Sequence, residues 1–240
     1  MKKNLFSTTL TMLCTVAMLL AATLKMQAQT PAEWKAMKGN VTMYMTNDMG
    51  RNGYYDQKPI AELMGHMGET LGPKCVLAVG DIHHFNGVAS VNDPLWTTNY
   101  EQVYSHPELM LNWFPVLGNH EYRGNTQAVL NYGTVSRRWV MPSRYYTKVI
   151  TSKGTSVRVV FIDTTPLIDR YRADSITYPD AHKQDMQAQL NWLDNTLKTA
   201  REDWVIVVGH HPFMPIPPRP KVSAPTCKSA CCPYSSATTM

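Results

Sequence analysis

Cys75-Val76-Leu77-Ala78-Val79-Gly80-Asp81-Ile82-His83-His84 decides how this chain reads. Five apolar residues run straight into a glycine, an aspartate and, two positions on, a pair of histidines. A short continuous apolar run of this kind predicts a strand buried on both faces. The pattern returns three times. Residues 41–46 lead into Asn47-Asp48-Met49-Gly50, residues 113–117 into Gly118-Asn119-His120-Glu121, and residues 205–208 into Gly209-His210-His211-Pro212. Four predicted strands therefore end in polar clusters, at the carboxyl ends where helix-covered sheets bind their ligands. The glycine before a cluster is expected to let the chain turn tightly as it leaves the strand.

The segments between these runs alternate in type. Residues 58–71 have helical spacing, with Ile60, Leu63, Met64 and Met67 on one side, and residues 94–104 also read as a helix. Residues 145–151 and 157–162 read as neighbouring strands around Ser152-Lys153-Gly154. In residues 181–198, Met186, Leu190, Leu193 and Leu197 form an amphipathic stripe, and Asp180 is the expected N-cap. Residues 163–179 read as a loop without period. The alternation predicts an α/β architecture, a sheet covered by helices.

Composition sets outer bounds. A chain of 240 residues, 44% hydrophobic and 17% charged, has globular character and excludes collagen-like, coiled-coil and disordered classes. The net charge of +5 comes from the ends. Residues 1–28 carry Lys2, Lys3 and Lys25, residues 213–240 carry Arg219, Lys221 and Lys228, and neither stretch has an acid. The near-neutral body argues against a general nucleic-acid partner, which requires clustered cations on the folded surface.

Residues 1–28 predict a signal peptide: Met1-Lys2-Lys3, an uncharged stretch over 5–24, then Met26-Gln27-Ala28. Ser7, Thr8, Thr9, Thr11 and Thr15 weaken the alternative of a retained membrane anchor. The expectation is an exported protein, periplasmic or secreted, with no stable membrane insertion after cleavage. Cys75 reads as a buried thiol. Cys227, Cys231 and Cys232 have no histidine or second cysteine pair at zinc-site spacing.

Five of the eight histidines lie in the four strand-end clusters. One aspartate or asparagine after a strand is an ordinary turn residue, and a lone histidine is an ordinary core residue. An ordered set of four such clusters asks for another explanation. Oxygen and imidazole donors without thiolate suit Fe, Mn or Zn.

In this order the clusters resemble the calcineurin-like metallophosphoesterases, whose pattern is D-x-H or D-x-G, then G-D-x-x, G-N-H-D/E, G-H and G-H-x-H. Within that family the chain looks most like the purple, tartrate-resistant acid phosphatases. The D-x-G form at Asp48 points there, as do Asn47-Asp48-Met49-Gly50-Arg51-Asn52-Gly53, Arg138-Trp139 followed by Met141-Pro142, and Gln189-Leu190-Asn191-Trp192-Leu193. The resemblance covers roughly residues 40–215. It implies a β-sheet sandwich flanked by helices, two metal ions (Fe, Zn or Mn), and hydrolysis of a small phosphorylated substrate, a phosphate monoester, by metal-activated hydroxide. By position it implies that Asp48 binds the first metal, Asp81 bridges both, and Asn119 and His210 bind the second. His120 would stabilise the transferring phosphate or protonate the leaving oxygen, and Glu121 would orient His120. A non-catalytic family member acting as a binding or structural protein, and a phosphodiesterase or nucleotidase, are the alternatives.

Two departures qualify the resemblance. The purple enzymes carry a tyrosine three residues after the second motif's aspartate, and its phenolate binds ferric iron and colours the protein. Here that residue is His84, and Gly50 stands where D-x-H places a histidine. His84 is therefore expected to supply the missing first-metal ligand, in preference to His83, and the purple band should be absent. The second departure is the missing G-H-x-H, since no histidine follows His211. Composition changes near Pro217, and residues 212–240 contain seven prolines. The reading is thus an incomplete, C-terminally truncated metallophosphoesterase domain over 29–216. An irregular tail over 217–240, either a frameshift product or a linker, would follow it, and one sheet edge would be left unpaired.

Overall fold

The computed structural model describes residues 31–212, so the predicted signal peptide and the 217–240 tail lie outside the described residues. The described residues divide into two units: one holds the short helix α1 (Pro31–Ala36), and the other begins at Lys38.

The second unit holds two three-stranded sheets. In the first, β1 (Tyr44–Thr46), β2 (Val76–Val79) and β3 (Trp113–Val116) lie parallel in the order β1-β2-β3, with Tyr44 opposite Val76 and Val76 opposite Trp113. Every residue of β2 and β3 is buried, which is why both read as unbroken apolar runs. In the second sheet, β4 (Tyr146–Ser152) pairs antiparallel with β5 (Thr155–Phe161), and β5 pairs parallel with β6 (Trp204–Val208). The hairpin turns through Lys153 and Gly154, at φ 50° and 76°. Two positive φ values define the tight turn whose twist matches paired strands, and glycine accepts the second at no steric cost. One core joins the sheets. Tyr146 stacks on Phe161 with ring centroids 4.4 Å apart, and its hydroxyl donates to the Pro115 carbonyl of β3 at 2.7 Å.

The α/β sandwich flanked by helices is present, and several local expectations change. Helix α2 (Gln57–Leu71) forms as predicted but buries Ala61, Gly65, Gly68 and Leu71, while Ile60 and Leu63 stay 51% and 41% exposed. Residues 106–109 lie so close to the helix that only small side chains fit. A Cβ on Gly65 would stand 2.2 Å from His106 Cγ, and one on Gly68 would stand 2.8 Å from Glu108 Cβ. The 94–104 segment winds into one wide π-type turn (Thr97–Glu101), closed by the Gln102 N–H on the Thr97 carbonyl at 3.0 Å. A six-residue helix α3 (Thr126–Asn131) follows β3. The stretch read as a loop, 163–179, contains helix α4 (Asp169–Ala173).

Helix α5 (Met186–Thr199) starts later than the sequence suggested. Asp185 is its cap, accepting the Ala188 N–H at 2.9 Å, whereas Asp180 accepts the Thr126 hydroxyl at 2.7 Å and the Lys183 ammonium at 3.0 Å. Leu190 and Leu197 of the expected stripe are exposed, and the helix buries Gln189 and Thr196 instead. Gln189 clamps the end of β5, accepting the Asp163 N–H at 2.8 Å and donating to the Asp163 carbonyl at 3.0 Å. Among the described residues β6 has a neighbour on one side only, and its Trp204 is exposed.

Beside the first sheet lies an aromatic layer. Trp96 stacks flat on Tyr132 at 3.5 Å, and both Trp139 and Tyr100 meet neighbouring rings edge-on. Arg138 is buried in this layer. Its guanidinium lies 4.5 Å above the Tyr100 ring, donates to the Tyr104 carbonyl at 2.6 Å and pairs with Glu101 at 2.6 Å.

Candidate metal centre

The carboxyl ends of β1, β2, β3 and β6 converge on one cavity of about 730 Å³. Asp48, Asp81, Asn119, His120, His210 and His211 all line it. The strand-end clusters predicted from sequence are therefore neighbours in space.

Gly80 turns the chain at φ +81°, and a Cβ there would stand 2.6 Å from His210 Nδ1. Gly118 and Gly209 leave their strands without a positive φ, so neither turn draws on glycine's left-handed freedom. At Gly118 the requirement is space, since a Cβ would stand 2.2 Å from Asp81 Oδ1. Asp48 and Asp81 themselves adopt φ 51°. That backbone costs a non-glycine residue about 1–3 kcal/mol and is characteristic of functional positions.

Asp81 Oδ2 is the hub. His210 Nε2 lies 3.3 Å from it, His84 Nε2 3.6 Å and His120 Nε2 3.7 Å, and His84 Nε2 lies 3.8 Å from Asp48 Oδ1. These separations are longer than good hydrogen bonds. They are the spacing of donors around a common cation, where bonds of roughly 2.0–2.2 Å place neighbouring ligand atoms a little over 3 Å apart. Two donor sets, Asp48/Asp81/His210 and Asp81/His84/His120, each lie within 4.8 Å, and Asp81 belongs to both. The residues present thus fit a metal pair with one shared carboxylate.

The position of His84 has a steric reason. A Cβ at position 50 would lie 1.9 Å from the Ile82 carbonyl oxygen, so no histidine can stand there. His84 reaches the same carboxylates from the other side. His83 is wholly buried, packs edge-on against Trp96 at 4.3 Å, and accepts from Asn99 Nδ2 at 3.2 Å. Burial drives its pKa down to about 3, so it stays neutral.

Charge in the cavity is strongly polarised. Burial would raise the Asp81 pKa, but the close approach and charge of the His210 imidazole, with the His120 backbone N–H, bring it down to about 2. Burial would lower His210, but the Asp81 carboxylate lifts it to about 9. Burial, then the neighbouring His120, pushes His84 down to about 4, and burial raises Asp48.

Glu121 does not orient His120, contrary to the expectation. Its fully buried carboxylate accepts four backbone N–H groups: Asp81 and Gly118 on Oε2 at 2.8 Å, Ile82 and His83 on Oε1 at 2.8 and 3.1 Å. It holds the loop that presents Asp81. Burial and the Asp81 charge push its own carboxyl up to about 7, against those N–H donors. His120 is positioned by other groups. Its Nδ1–H donates to the Phe85 carbonyl at 2.5 Å, and its backbone N–H donates to Asp81 Oδ1 at 2.8 Å.

Sequence reasoning missed two groups of residues. Gln57 accepts the Arg51 and Gly53 N–H groups at 3.2 and 2.7 Å and donates to the Asn99 carbonyl at 2.8 Å, while Asn99 accepts the Asn52 N–H at 2.6 Å. Together they shape the loop after Asp48. The sequence signal was slight: Gln57 stands just before the segment read as a helix over 58–71, and Asn99 stands inside the one over 94–104. The second group, Arg170, Tyr171, Asp174 and Tyr178, forms a cavity wall with Arg123. It comes from the stretch read as a featureless loop. His211, next to the expected ligand His210, lines the cavity, held by the Thr164 hydroxyl at 2.8 Å and the Tyr171 hydroxyl at 3.2 Å.

Comparisons with known proteins agree with this geometry. A family model described as calcineurin-like phosphoesterase matches residues 42–230. Purple acid phosphatase 7 of Arabidopsis thaliana is 33% identical over 189 residues, 74% of this chain and 55% of the relative. Human tartrate-resistant acid phosphatase type 5 is 33% identical over 154 residues, 62% of this chain and 47% of the relative. The chain spans about half the length of the curated relatives it matches. Among solved structures, GAP50, titled the anchor in the inner membrane complex of Plasmodium, aligns with TM-score 0.59 and 26% identity over 72% of this chain and 55% of that one.

Proposed function

Because the chain belongs to the calcineurin-like phosphoesterase family, we propose that it hydrolyses small phosphate monoesters at a pair of metal ions, Fe, Zn or Mn, as an exported enzyme of the acid phosphatase type. The observation that carries this reading is Asp81, whose carboxylate is common to both donor sets. The two donor sets place His210 beside Asp48 and His120 beside His84, but His84 Nε2 also lies 3.8 Å from Asp48 Oδ1, so the assignment by family position is kept: Asp48, Asp81 and His84 would hold one cation, and Asp81, Asn119 and His210 the other. When bound, the cations neutralise the phosphate oxygens and activate the attacking water.

The protein's own groups do the rest. Glu121 keeps the Asp81 loop in place through four N–H bonds. With Nδ1–H committed to the Phe85 carbonyl, His120 turns Nε2 toward Asp81 and the cavity, where the ring in its doubly protonated form would give the Nε2 proton to the leaving oxygen and be left as the neutral Nδ1–H imidazole. Arg123 and Arg170 add positive charge to the cavity wall.

The test is hydrolysis of an aryl phosphate by wild type and Asp81→Asn, each with Fe, Zn or Mn. Metal-dependent turnover that falls to background in the variant supports the reading. A wild type without turnover, or a variant as active as wild type, overturns it. A parallel aryl diester assay separates a monoesterase from a diesterase. The likeness to a protein whose title calls it an anchor favours one other reading, a non-catalytic member of the fold. That reading predicts a folded wild type with no turnover under any metal.

A further inference from the structure

We propose a second cation site, remote from the cavity, formed by His66 and Glu69 of α2 and by His106. His66 Nδ1 lies 3.6 Å from Glu69 Oε1, one helical turn away, and His106 Nε2 lies 3.6 Å from the same oxygen. The three donor atoms lie within 4.8 Å of one another. As at Asp81, such separations are too long for good hydrogen bonds and suit donors that share an ion. Two imidazoles and one carboxylate match Zn²⁺, with water in the fourth position. None of the three residues lines the 730 Å³ cavity.

The third ligand is built into the packing. His106 comes from a segment forty positions away in sequence from His66, and its ring lies on α2 at Gly65, where any Cβ would stand 2.2 Å from its Cγ. The missing side chain lets the ring settle between His66 and Glu69, edge-on to the His66 ring at 5.2 Å. The His106 side chain is 14% exposed, whereas those of His66 and Glu69 are each 59% exposed, so one ligand is anchored and two are open to an arriving ion.

The cation-free tautomer follows from the neighbouring backbone. His106 Nδ1 accepts the Glu108 N–H at 3.2 Å, which leaves the proton of the neutral ring on Nε2. An ion at Nε2 requires that proton to leave to solvent and Nδ1 to take one up, at the expense of this long hydrogen bond. The site therefore belongs with open, exchangeable zinc sites and binds less tightly than the closed structural ones. An ion there ties α2 to the segment that leads into β3, and by mass action it stabilises the folded state.

Equilibrium dialysis of the full chain against Zn²⁺ tests the proposal, with zinc per chain as the readout. Wild type should carry one equivalent more than either His66→Ala or Glu69→Gln, both changes at exposed positions. Asp81→Asn should keep that equivalent, which separates this site from the cavity. Gly65→Ala retains every ligand but displaces the His106 ring, and it should lose the equivalent too. If His66→Ala and Glu69→Gln bind as much zinc as wild type, the proposal is wrong, whatever the fate of the phosphoesterase reading.

Discussion

The Glu121 carboxylate accepts the backbone N–H of Asp81 at 2.8 Å. It does so from a wholly buried position, together with the N–H groups of Gly118, Ile82 and His83. The geometry of the proposed bridging residue is thus set by an anion that never reaches the cavity. In Glu121→Gln, the amide group would face two N–H donors with donors of its own. The expected outcome is a loss of about 2–5 kcal/mol of stability in urea titrations and of about 10–100-fold in metal affinity. A variant that kept its stability and lost only turnover would return Glu121 to the role of a partner for His120.

Gly50 cannot be exchanged for the histidine that other members of the family carry in the first motif. Any Cβ at this position would meet the Ile82 carbonyl oxygen at 1.9 Å. Gly50→His is therefore expected to reduce soluble yield and abolish metal loading rather than add a ligand. Elemental analysis of purified variant against wild type checks this, and full loading of Gly50→His would refute the steric argument.

His84→Tyr should restore the phenolate that the purple enzymes possess, at a position where the side chain faces Asp48 and Asp81. Iron-loaded variant should show a broad visible absorption, and iron-loaded wild type should lack it. A coloured wild type would mean that a ligand other than His84 dominates the iron.

Stability should fall as pH rises through neutrality because of Asp163. This carboxyl is 1% exposed, and burial lifts its pKa from 3.8 to about 7, although the Tyr122 hydroxyl and Arg144 oppose the shift. Between about pH 4 and 7 the folded chain holds a proton that the unfolded chain has released. The protein therefore loses stability across that window, and the loss is complete above the folded pKa. By linkage it amounts to about 2–4 kcal/mol. Urea midpoints at pH 4.5, 6 and 8 for wild type and Asp163→Asn test it, with a flatter profile expected for the variant.

Arg138 should be costly to truncate. Its guanidinium is buried against Tyr100 and bonded to the Tyr104 carbonyl and Glu101. Arg138→Ala removes the cation, leaves those acceptors without their donor and should cost about 3–5 kcal/mol. Glu101→Gln keeps an acceptor and should cost less, and denaturation of both variants ranks them.

The strands and the donor-bearing turns were legible because each is a local property. An apolar run followed by Gly80-Asp81 or Gly118-Asn119 marks a buried strand and its end without reference to the rest of the chain. The faces of α2 and α5 were not legible. Both helices leave half of their apolar stripe exposed, Ile60 and Leu63 in one and Leu190 and Leu197 in the other, and the buried sides are chosen by what lies against them: His106 on Gly65, and the Asp163 backbone against Gln189. The cavity wall from Arg170 to Tyr178 shows no period, because it joins a five-residue helix, too short to display one, to the non-helical residues Asp174 and Tyr178 after it.

The sequence by itself determined the α/β alternation, from residue type and spacing, and through its ordered motifs the family; the resemblance then marked out Asp48, Asp81, His84, Asn119 and His210 as candidate ligands and His120 as a candidate proton donor. Only the tertiary structure decided at what distances His84, His120 and His210 stand around Asp81, that Glu121 grips a loop and leaves His120 to the Phe85 carbonyl, and that a Cβ has no room at Gly50. Residue types travel with the chain, but each of these outcomes depends on distances of a few ångströms between residues some thirty to one hundred and thirty positions apart, and only close packing sets such distances.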